Sequence, residues 1–528
     1  MPDSEHVVSL PLKTFFLALV LAISFVGIFD HSLWTPDEPR VAEIAREMAV
    51  SGDYLIPHLS QNPFLEHPFF YYAVTGLSYR LFGTFNEGVG RLPSVLFGLG
   101  TLLILYVSVR RIYSEKTALL AILMLAGTVE FLAIHHKIIV DSALCFFITA
   151  SMMSFILAYL EKSKNGFKVF WSALALSFLT KGLVGIAIPG AGVVLFLLWQ
   201  RDLLVIRRMW IVPGITLVFS AAVLWGLILY LRGGTDFLHI FYIYNQFGRF
   251  FSISGYTGGH VKPWYYYFLS ILSGGAPWSI LFLASIPGLR LRETSDRFML
   301  SWLLGGFILL SLASTKRGIY LLPMYPAMFL LIAHTLGDLT DKAGRWWEQW
   351  SLWVTAGAIA AAGMAMPFFY VKYGGKSPLF LFIIFILLLL VSFWWFFRKQ
   401  TVQSLVILWS LTVIFWSPFV IPLVDKGKSY EKFYEQAGSI IGNNQVIGYG
   451  LNETVEAYSP FYGGFYPLNF KDPEHFSQVL RNKKSGLVLV MDGHVSSDDM
   501  VYLEQHAEPV LKTEGTYLRD ITLWKIGM

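Results

Sequence analysis

Residues 15–48 read FFLALVLAISFVGIFDHSLWTPDEPRVAEIAREM, an apolar stretch that runs directly into a charged segment. The apolar part is typical of a membrane-spanning helix. Asp37, Glu38 and Arg40 follow it closely, and such charges are costly inside a membrane, so their position calls for an explanation. We expect the explanation to be catalysis at the membrane surface. The alternative is helix capping, because acidic residues are common in the first turn of a helix.

The charged segment also has the pattern of an amphipathic helix. Pro36 and Pro39 suit its first turn, and the two acids suit its positive end. The helical period separates two faces. The polar face has Glu43, Arg46 and Glu47, and the apolar face has Val41, Ile44, Ala45 and Met48. We predict a helix that lies along the membrane surface.

The composition of the whole chain predicts a polytopic α-helical membrane protein. Of its 528 residues, 55% are hydrophobic and only 14% are charged, against about 25% charged in an average soluble domain. The net charge of +5 could indicate nucleic acid binding, but the basic residues stand in short clusters between apolar segments, as membrane topology requires. Cys145 is the only cysteine, which excludes a disulfide framework within one chain.

About thirteen apolar segments are long enough to span a bilayer, which takes roughly 17 to 25 residues. They lie around residues 12–30, 89–109, 117–135, 139–160, 168–180, 183–199, 209–231, 264–289, 298–314, 318–337, 350–371, 377–397 and 402–421. The fifth and sixth segments meet at the sequence LTKGLVG and could instead form a broken pair.

The basic residues test this topology, since cytoplasmic loops collect Lys and Arg. With the N-terminus inside, every predicted cytoplasmic loop is basic, and the loops 31–88 and 232–263 face outward. Residues 1–424 then form a transmembrane catalytic domain. The composition changes at residues 425–528, which contain the strand-like runs QVIGYG and GLVLVMD. We predict that these residues form a small α/β domain on the outer, periplasmic side.

The outer loops hold the residues that neither insertion nor packing explains. The stretch FLEHPFFYY lies in the first of these loops, and NQFGRF followed by HVKPWYYY lies in the second. Lys316 and Arg317, in STKRG, break the positive-inside pattern together. Asp141 begins the fourth span, where a charge needs a partner, and we expect Lys137 or His136 to supply it.

Several of these motifs, taken in order, resemble those of the aminoarabinose transferase family. The matching stretches are TPDEPRVAEIAREMAVSGDYLIPHL, FLEHPFFYY, GRLPS, FLTKGLVG, NQFGRF with HVKPWYYY, and STKRGIYLLPMYPA. The resemblance covers roughly residues 10–425. Members are bacterial membrane glycosyltransferases of the GT-C fold, related more distantly to the protein O-mannosyltransferases. The resemblance implies an inverting transfer of sugar from an undecaprenyl phosphate carrier to lipid A or another envelope glycolipid, at the outer face of the bacterial inner membrane.

This chemistry needs cations to hold the leaving phosphate and a carboxylate near the acceptor. By resemblance, Asp37 is the leading catalytic carboxylate and Asp141 is a second, supporting acid. The cations expected at the donor phosphate are Arg40, Lys181, Arg249, Lys316 and Arg317. The residues expected to line the substrate pocket are His67, Tyr71, Tyr72, Tyr320 and Tyr325.

Two further residues resemble family positions that hold a metal. Glu66 and His260 would supply a carboxylate and an imidazole, a pair that suits zinc or another divalent ion. We expect such a metal to tether the two outer loops, and we expect no nucleotide cofactor. The sequence departs from the family at His67, where a lysine is usual, and this removes a fixed charge unless the imidazole is protonated.

Other functions remain open at this stage. The acceptor could be the hydroxyl group of a secreted protein, as in the O-mannosyltransferases, or a growing polysaccharide. Outside the enzymes, the chain could transport a lipid-linked sugar. A transporter should carry ionisable residues near the middle of its spans, whereas here they stand at the outer loop boundaries, which favours the enzyme.

Overall fold

The computed structural model of the protein describes residues 8–251, 260–336, 346–372, 402–483, 485–513 and 518–527, with isolated positions between 379 and 394. The side chain of Arg249 is outside this description. The first part of the chain is almost entirely helical. Its helices are α1 (Leu10–Phe25), α2 (Glu38–Ser51), α3 (Phe70–Phe82), α4 (Glu87–Ile112), α5 (Glu115–Ala126), α6 (Val129–His135), α7 (Val140–Glu161), α8 (Lys164–Lys181), α9 (Val184–Gln200), α10 (Ile211–Leu238), α11 (Arg249–Phe251), α12 (Tyr266–Gly274), α13 (Ser279–Ser285), α14 (Thr294–Leu312), α15 (Tyr325–Leu336), α16 (Trp346–Lys372) and α17 (Val402–Lys428).

Shorter elements complete this part. The strands β1 (His58–Leu59) and β2 (Asn62–Pro63) form an antiparallel pair in the first loop. A π-helical stretch, His239–Gly248, continues α10, and 3₁₀ turns occur at Leu203–Arg207, Ile286–Gly288 and Gly318–Met324.

The protein is a polytopic helical membrane protein, as its composition predicts. Among the described residues, seven helices are long and apolar enough to cross a membrane, and the number rises to nine if each of two bent pairs is one span. The helices α1 and α9 are apolar but shorter. The predicted count of thirteen therefore stays a prediction, and the segment 377–397 lies outside the continuously described residues.

Residues 264–289 do not form a single straight span. The chain makes two helical pieces there, Tyr266–Gly274 and Ser279–Gly288, which meet at 111°. The sequence between them contains Gly275 and Pro277, and both residue types interrupt helices. The segment 117–135 is also bent, by 67°, after Ala126.

The centre of the helical part is formed by α15, which is buried along nearly its whole length, whereas α10 lies at the periphery and exposes apolar side chains. Apolar side chains exposed on a membrane helix face lipid, which is their normal environment. The core of the helical part thus lies around α5, α7, α14 and α15.

The helix α2 forms where its pattern predicts it, but its polar face is only partly exposed to water. Glu43 is fully buried and holds Arg46 through two hydrogen bonds of 2.7 Å. Arg46 in turn donates to the hydroxyl of Tyr466, in the C-terminal domain, at 2.9 Å. A domain that docks on this face replaces part of the solvent, which the sequence of the helix alone does not reveal.

The C-terminal domain is an α/β unit that begins just after α17. Its elements are α18 (Glu431–Ile441), β3 (Val446–Tyr449), α19 (Glu453–Tyr458), a π turn (Ser459–Gly463), β4 (Leu468–Phe470), α20 (Pro473–Asn482), β5 (Gly486–Met491), α21 (Ser497–His506), β6 (Ala507–Lys512) and β7 (Ile521–Ile526). The strands follow the order β4-β3-β5-β7-β6 in one sheet. β3 runs parallel to β4 and β5, and β7 runs antiparallel to β5 and β6. The interior strand β5 is apolar and almost completely buried, as a strand covered on both faces should be.

Candidate active site

A polar cavity of about 270 Å³ lies where several helix ends meet beneath the C-terminal domain. An apolar cavity of about 300 Å³ adjoins it, lined mainly by α9, the π-helical stretch and α14. The two share Glu66, His67, Asp141, Lys181, Thr315 and Tyr320. The charged groups of the polar cavity are Asp37, Arg40, Glu66, Asp141, Lys181, Arg317 and Glu453. A charged chamber thus opens into an apolar groove.

Asp37 stands immediately before α2 and does not cap that helix. Its carboxylate instead binds Arg317 in a bidentate contact, with Nη1 at 3.0 Å from Oδ1 and Nη2 against Oδ2. Arg40 adds a third hydrogen bond, from Nη2 to Oδ1 at 2.8 Å. Burial alone would raise the pKa of Asp37, but Arg317 and Arg40 outweigh it and lower the pKa to about 2. Asp37 is therefore firmly ionised, and the capping alternative does not hold.

Arg40 connects Asp37 to two more acids. Its Nη1 lies 2.8 Å from Oε2 of Glu453 and 3.8 Å from Oε2 of Glu66. Burial opposes the charge of Arg40, yet the carboxylates of Glu66, Asp37 and Glu453 raise its pKa further. Arg40 therefore remains a permanent cation in the cavity wall.

The second acid, Asp141, has a different partner from the one the sequence predicted. Lys181 donates to Oδ1 of Asp141 at 2.6 Å, and both side chains are almost completely buried. The expected pairing with Lys137 or His136 is wrong. The reason lies in the helical hairpin of α7 and α8, because a short turn after Glu161 folds α8 back along α7 and brings its last residue to the first turn of α7. The Lys181 ammonium also lies 4.9 Å from the ring of Tyr320.

The loop 260–262 reaches the cavity through a backbone bridge. Val261 pairs with Thr315 in an antiparallel bridge, and the Lys316 amide donates to the His260 carbonyl at 2.9 Å. This pairing brings His260 and Arg317 to the same wall. In the sequence, the STKRG motif indicated that this segment reaches the site. Its two cations, Lys316 and Arg317, lie in different places in the structure.

Lys316 does not join Arg317 at the cavity. It is buried and donates to the carbonyls of Ala313 and Lys262, the latter at 3.2 Å, and it lines neither cavity. The expectation that both residues line one cavity is therefore wrong for Lys316. Successive residues of an extended backbone point to opposite sides, so one of two adjacent cations must turn away.

The expected pocket residues separate into two groups. His67, Tyr72 and Tyr320 line the polar cavity. Tyr71 does not, because its hydroxyl is buried against Ser94 at 2.6 Å and accepts from the Ile139 amide at 2.9 Å. Tyr325 is also buried away from both cavities. Tyr71 nevertheless fixes the backbone two residues before Asp141, which is an indirect contribution to the site.

Glu66 and His260 line the same polar cavity, as a shared metal would require. A carboxylate and an imidazole suit zinc, although zinc sites usually take about three or four protein ligands. Within the described part of the chain, these two belong to no group of three potential ligand atoms lying within 4.8 Å of one another. The two residues fit part of a metal site, and water or substrate would have to complete it.

Sequence reasoning missed the buried pair of Glu38 and Arg91. Both side chains are fully buried, and Arg91 Nε donates to Glu38 Oε1 at 2.7 Å. Arg91 also donates to the carbonyls of Ile28, His31 and Ser32, at 2.7–2.8 Å. The pair fixes the chain that leads from α1 to Asp37. An arginine within the otherwise apolar GRLPS segment was the signal that could have revealed it.

The chain is similar to several known proteins. The family described as dolichyl-phosphate-mannose-protein mannosyltransferase matches residues 66–225. An undecaprenyl phosphate-alpha-4-amino-4-deoxy-L-arabinose arabinosyl transferase from Aeromonas hydrophila is 29% identical over 342 residues, which is 63% of this chain and 60% of that protein. A protein of the same name from Shewanella sediminis is 25% identical over 84% of each chain. The chain thus spans about 60% of the length of the curated relatives that it matches first.

Among solved structures, the crystal structure of ArnT from Cupriavidus metallidurans bound to undecaprenyl phosphate is similar over 98% of both chains, with a TM-score of 0.80 and 21% identity. The fold is that of a polytopic helical membrane protein of the GT-C type. The chain is thus similar to the aminoarabinose transferases in both sequence and fold.

Proposed function

We propose that the protein is a glycosyltransferase that moves a sugar from undecaprenyl phosphate to an envelope glycolipid such as lipid A. The observation that carries this proposal is the junction of the charged cavity with the apolar groove. A lipid-linked sugar phosphate has the same two parts, since its phosphate and sugar are polar and its polyprenyl tail is apolar. The names of the relatives, and the undecaprenyl phosphate bound to ArnT, support the same donor class.

In this proposal Lys181 and Arg317 receive the donor phosphate at the junction. Lys181 lines both cavities, and Arg317 lines the polar cavity beside it. Cations fixed in this way stabilise negative charge as the sugar leaves the phosphate. The Leu183, Val184, Ala187 and Ile188 side chains line the groove that would take the first part of the lipid tail.

Asp37 acts on the acceptor. A carboxylate with a pKa near 2 is a weak base, so in the donor-free protein it can orient a hydroxyl by accepting its hydrogen bond but removes the proton poorly. A donor phosphate that draws Arg317 toward itself leaves Asp37 with less positive charge beside it. Its pKa then rises, and it becomes a better base when the donor is bound.

The orientation in the membrane follows from the charges of the loops. Basic residues collect at the loops opposite the cavity, such as Arg110 with Arg111 and Arg290 with Arg292, which favours a cytoplasmic position for that side. The cavity and the C-terminal domain would then face the periplasm across the bacterial inner membrane. A reporter fused after Met528 should be active in the periplasm only, and cytoplasmic activity would overturn this topology.

The experiment that tests the function compares envelope lipids, by mass spectrometry, from cells with and without the gene. A sugar mass should disappear from lipid A or another glycolipid when the gene is deleted, and it should return with the wild-type gene but not with Asp37→Asn. This substitution keeps the shape and removes the charge, so the variant should accumulate in the membrane at the wild-type level. Unchanged glycolipids in the deletion strain would refute a glycolipid acceptor.

One observation favours a second acceptor class. The match of residues 66–225 is to a family of protein mannosyltransferases, and it includes Glu66, Asp141 and Lys181. A protein acceptor would leave the glycolipids unchanged and remove a sugar from periplasmic proteins. Glycoprotein staining of the same two strains separates the two acceptors.

We also propose that Glu66 and His260 hold a divalent metal, zinc being the best match to these donors. Its role would be to tether the two outer loops, and it would supply a fixed positive charge beside the cavity. Elemental analysis of the purified protein should find bound metal that is lost in Glu66→Gln and in His260→Ala. Metal retained at the wild-type ratio in both variants would rule this site out.

A further inference from the structure

The wall of the polar cavity includes one charged residue from outside the helical part. Glu453 is the first residue of α19 in the C-terminal domain, and its carboxylate lines the cavity. Asn452 caps this helix, because its side chain accepts from the amides of Thr454 and Val455 at 3.1 and 3.0 Å. The cap fixes the backbone from which Glu453 projects.

The same helix is attached to the segment that carries Asp37. The Thr454 hydroxyl donates to the carbonyl of Pro36 at 2.6 Å, and the buried Tyr458 hydroxyl donates to the carbonyl of Leu33. Pro36 directly precedes Asp37 in the chain. The position of Glu453 relative to Asp37 is therefore set by two hydrogen bonds between the domains.

Glu453 binds the terminal nitrogen of Arg40 that does not bind Asp37. Arg40 Nη2 binds Asp37, while Nε has no hydrogen-bond partner among the described residues. The direction of the guanidinium thus depends on its two terminal nitrogens, and Nη1 donates to Glu453 at 2.8 Å. The Glu453 side chain is 57% exposed and that of Arg40 only 18%, so Glu453 holds Arg40 from the solvent side.

We propose that Glu453 is a positioning residue, supplied by the C-terminal domain, that orients Arg40 toward Asp37 in the reacting complex. The inference rests on the proposed function, since it assigns Glu453 to the same transfer reaction. It makes the C-terminal domain part of the active site rather than an appended unit. Arg40 oriented in this way holds the Asp37 carboxylate in the direction of the acceptor.

The test uses the full-length protein in detergent with undecaprenyl phosphate-linked 4-amino-4-deoxy-L-arabinose and lipid A. Glu453→Ala should lower kcat by about two- to fivefold, the range of a partly exposed ion pair, and leave the KM for the donor within about twofold. Glu453→Gln keeps an oxygen near Arg40 and should fall between Ala and the wild type. The matched control is Glu456→Gln on the same helix, where the carboxylate binds Asn469 and lies outside the cavity.

A double-mutant cycle separates positioning from a structural effect. In an Arg40→Lys background, Glu453→Ala should cause no further loss of kcat, because the geometry that it supports is already gone. Additive losses, or wild-type kcat in Glu453→Ala, would overturn the inference. If the wild-type protein itself transfers no sugar to lipid A, the proposed function fails instead, so the two failures are distinguishable.

Discussion

Arg317 and Lys316 are adjacent in sequence but differ in environment, and this pair gives the sharpest test of the site. Arg317 holds Asp37 and lines the cavity, whereas Lys316 binds backbone carbonyls away from it. Arg317→Gln removes the charge and the bidentate contact, and Lys316→Met removes a charge of the same sign from the neighbouring position. We expect only the first substitution to weaken donor use.

On the proposed function, the size of the effect follows from the burial of Arg317, whose contact with the donor phosphate the substitution removes. Truncating one partner of a buried, hydrogen-bonded charge pair costs about 2 to 5 kcal/mol. The Arg317 side chain is 27% exposed and that of Asp37 14%, so we expect the lower end of this range. At 1.4 kcal/mol for each tenfold change, about 2 kcal/mol corresponds to a roughly 30-fold loss in kcat/KM for the donor.

The pH dependence should change as well. Asp37 has to be ionised, so activity is lost as the pH falls through its pKa, which in the wild type lies at about 2 and outside the working range. Without Arg317, burial raises this pKa, and the acid limb of the profile moves upward. The assay is a donor titration at fixed acceptor, repeated from about pH 5 to pH 8. Normal donor use in Arg317→Gln together with its loss in Lys316→Met would refute the assignment of the cavity.

Three further predictions concern other charged groups. His67→Lys adds a fixed charge to a residue that lines both cavities, so a titration should show equal or slightly tighter donor binding; loss of binding would place the phosphate elsewhere. Asp141→Asn leaves the buried Lys181 without its counter-charge, so the free energy of unfolding should fall by about 3 to 5 kcal/mol. Adding Lys181→Met should restore part of this loss. An unchanged unfolding midpoint in Asp141→Asn would argue against the pair. Burial raises the pKa of Glu431 to about 7, above its unfolded value near 4.3, so its contribution to stability is lost as the pH rises through this window. Glu431→Gln should therefore reduce the fall in Tm between about pH 5 and pH 8, and an identical fall in both proteins would contradict this.

The apolar pattern predicted most helices, because a span needs little more than length and hydrophobicity. Helices such as Glu87–Ile112, Val140–Glu161 and Val402–Lys428 lie where apolar runs occur. The strands β3 and β5 likewise coincide with the runs QVIGYG and GLVLVMD. Their pairing in one sheet, and the sharp bend within residues 264–289, depend on contacts and backbone angles that hydropathy does not encode.

The cavity was less predictable than the helices. The resemblance identified Asp37, and the position of the basic residues on the outer face identified Arg40, Lys181 and Arg317; all four line the polar cavity. The sequence could not separate Lys316 from Arg317, since a motif does not encode the direction in which each side chain points.

The sequence also could not predict which charged residues pair when they lie far apart in the chain. The partner of Asp141 is 40 residues away and that of Arg40 is 413 residues away, in the C-terminal domain. A single sequence reports local preference, and such contacts arise only once the helical hairpin and the docked domain are in place.

The charges of the cavity limit where donor affinity can come from. Among the side chains that the structure describes, the cations of the cavity are Arg40, Lys181 and Arg317, and each already contacts a carboxylate. An incoming phosphate therefore exchanges one ion pair for a similar one and gains only the difference between them. Burial of the lipid's apolar surface contributes about 25 cal/mol per Å² to binding. No existing ion pair has to be broken to gain this energy. On the proposed function, the apolar groove should supply most of the binding energy for the lipid, while the cations determine where the phosphate lies and how it leaves.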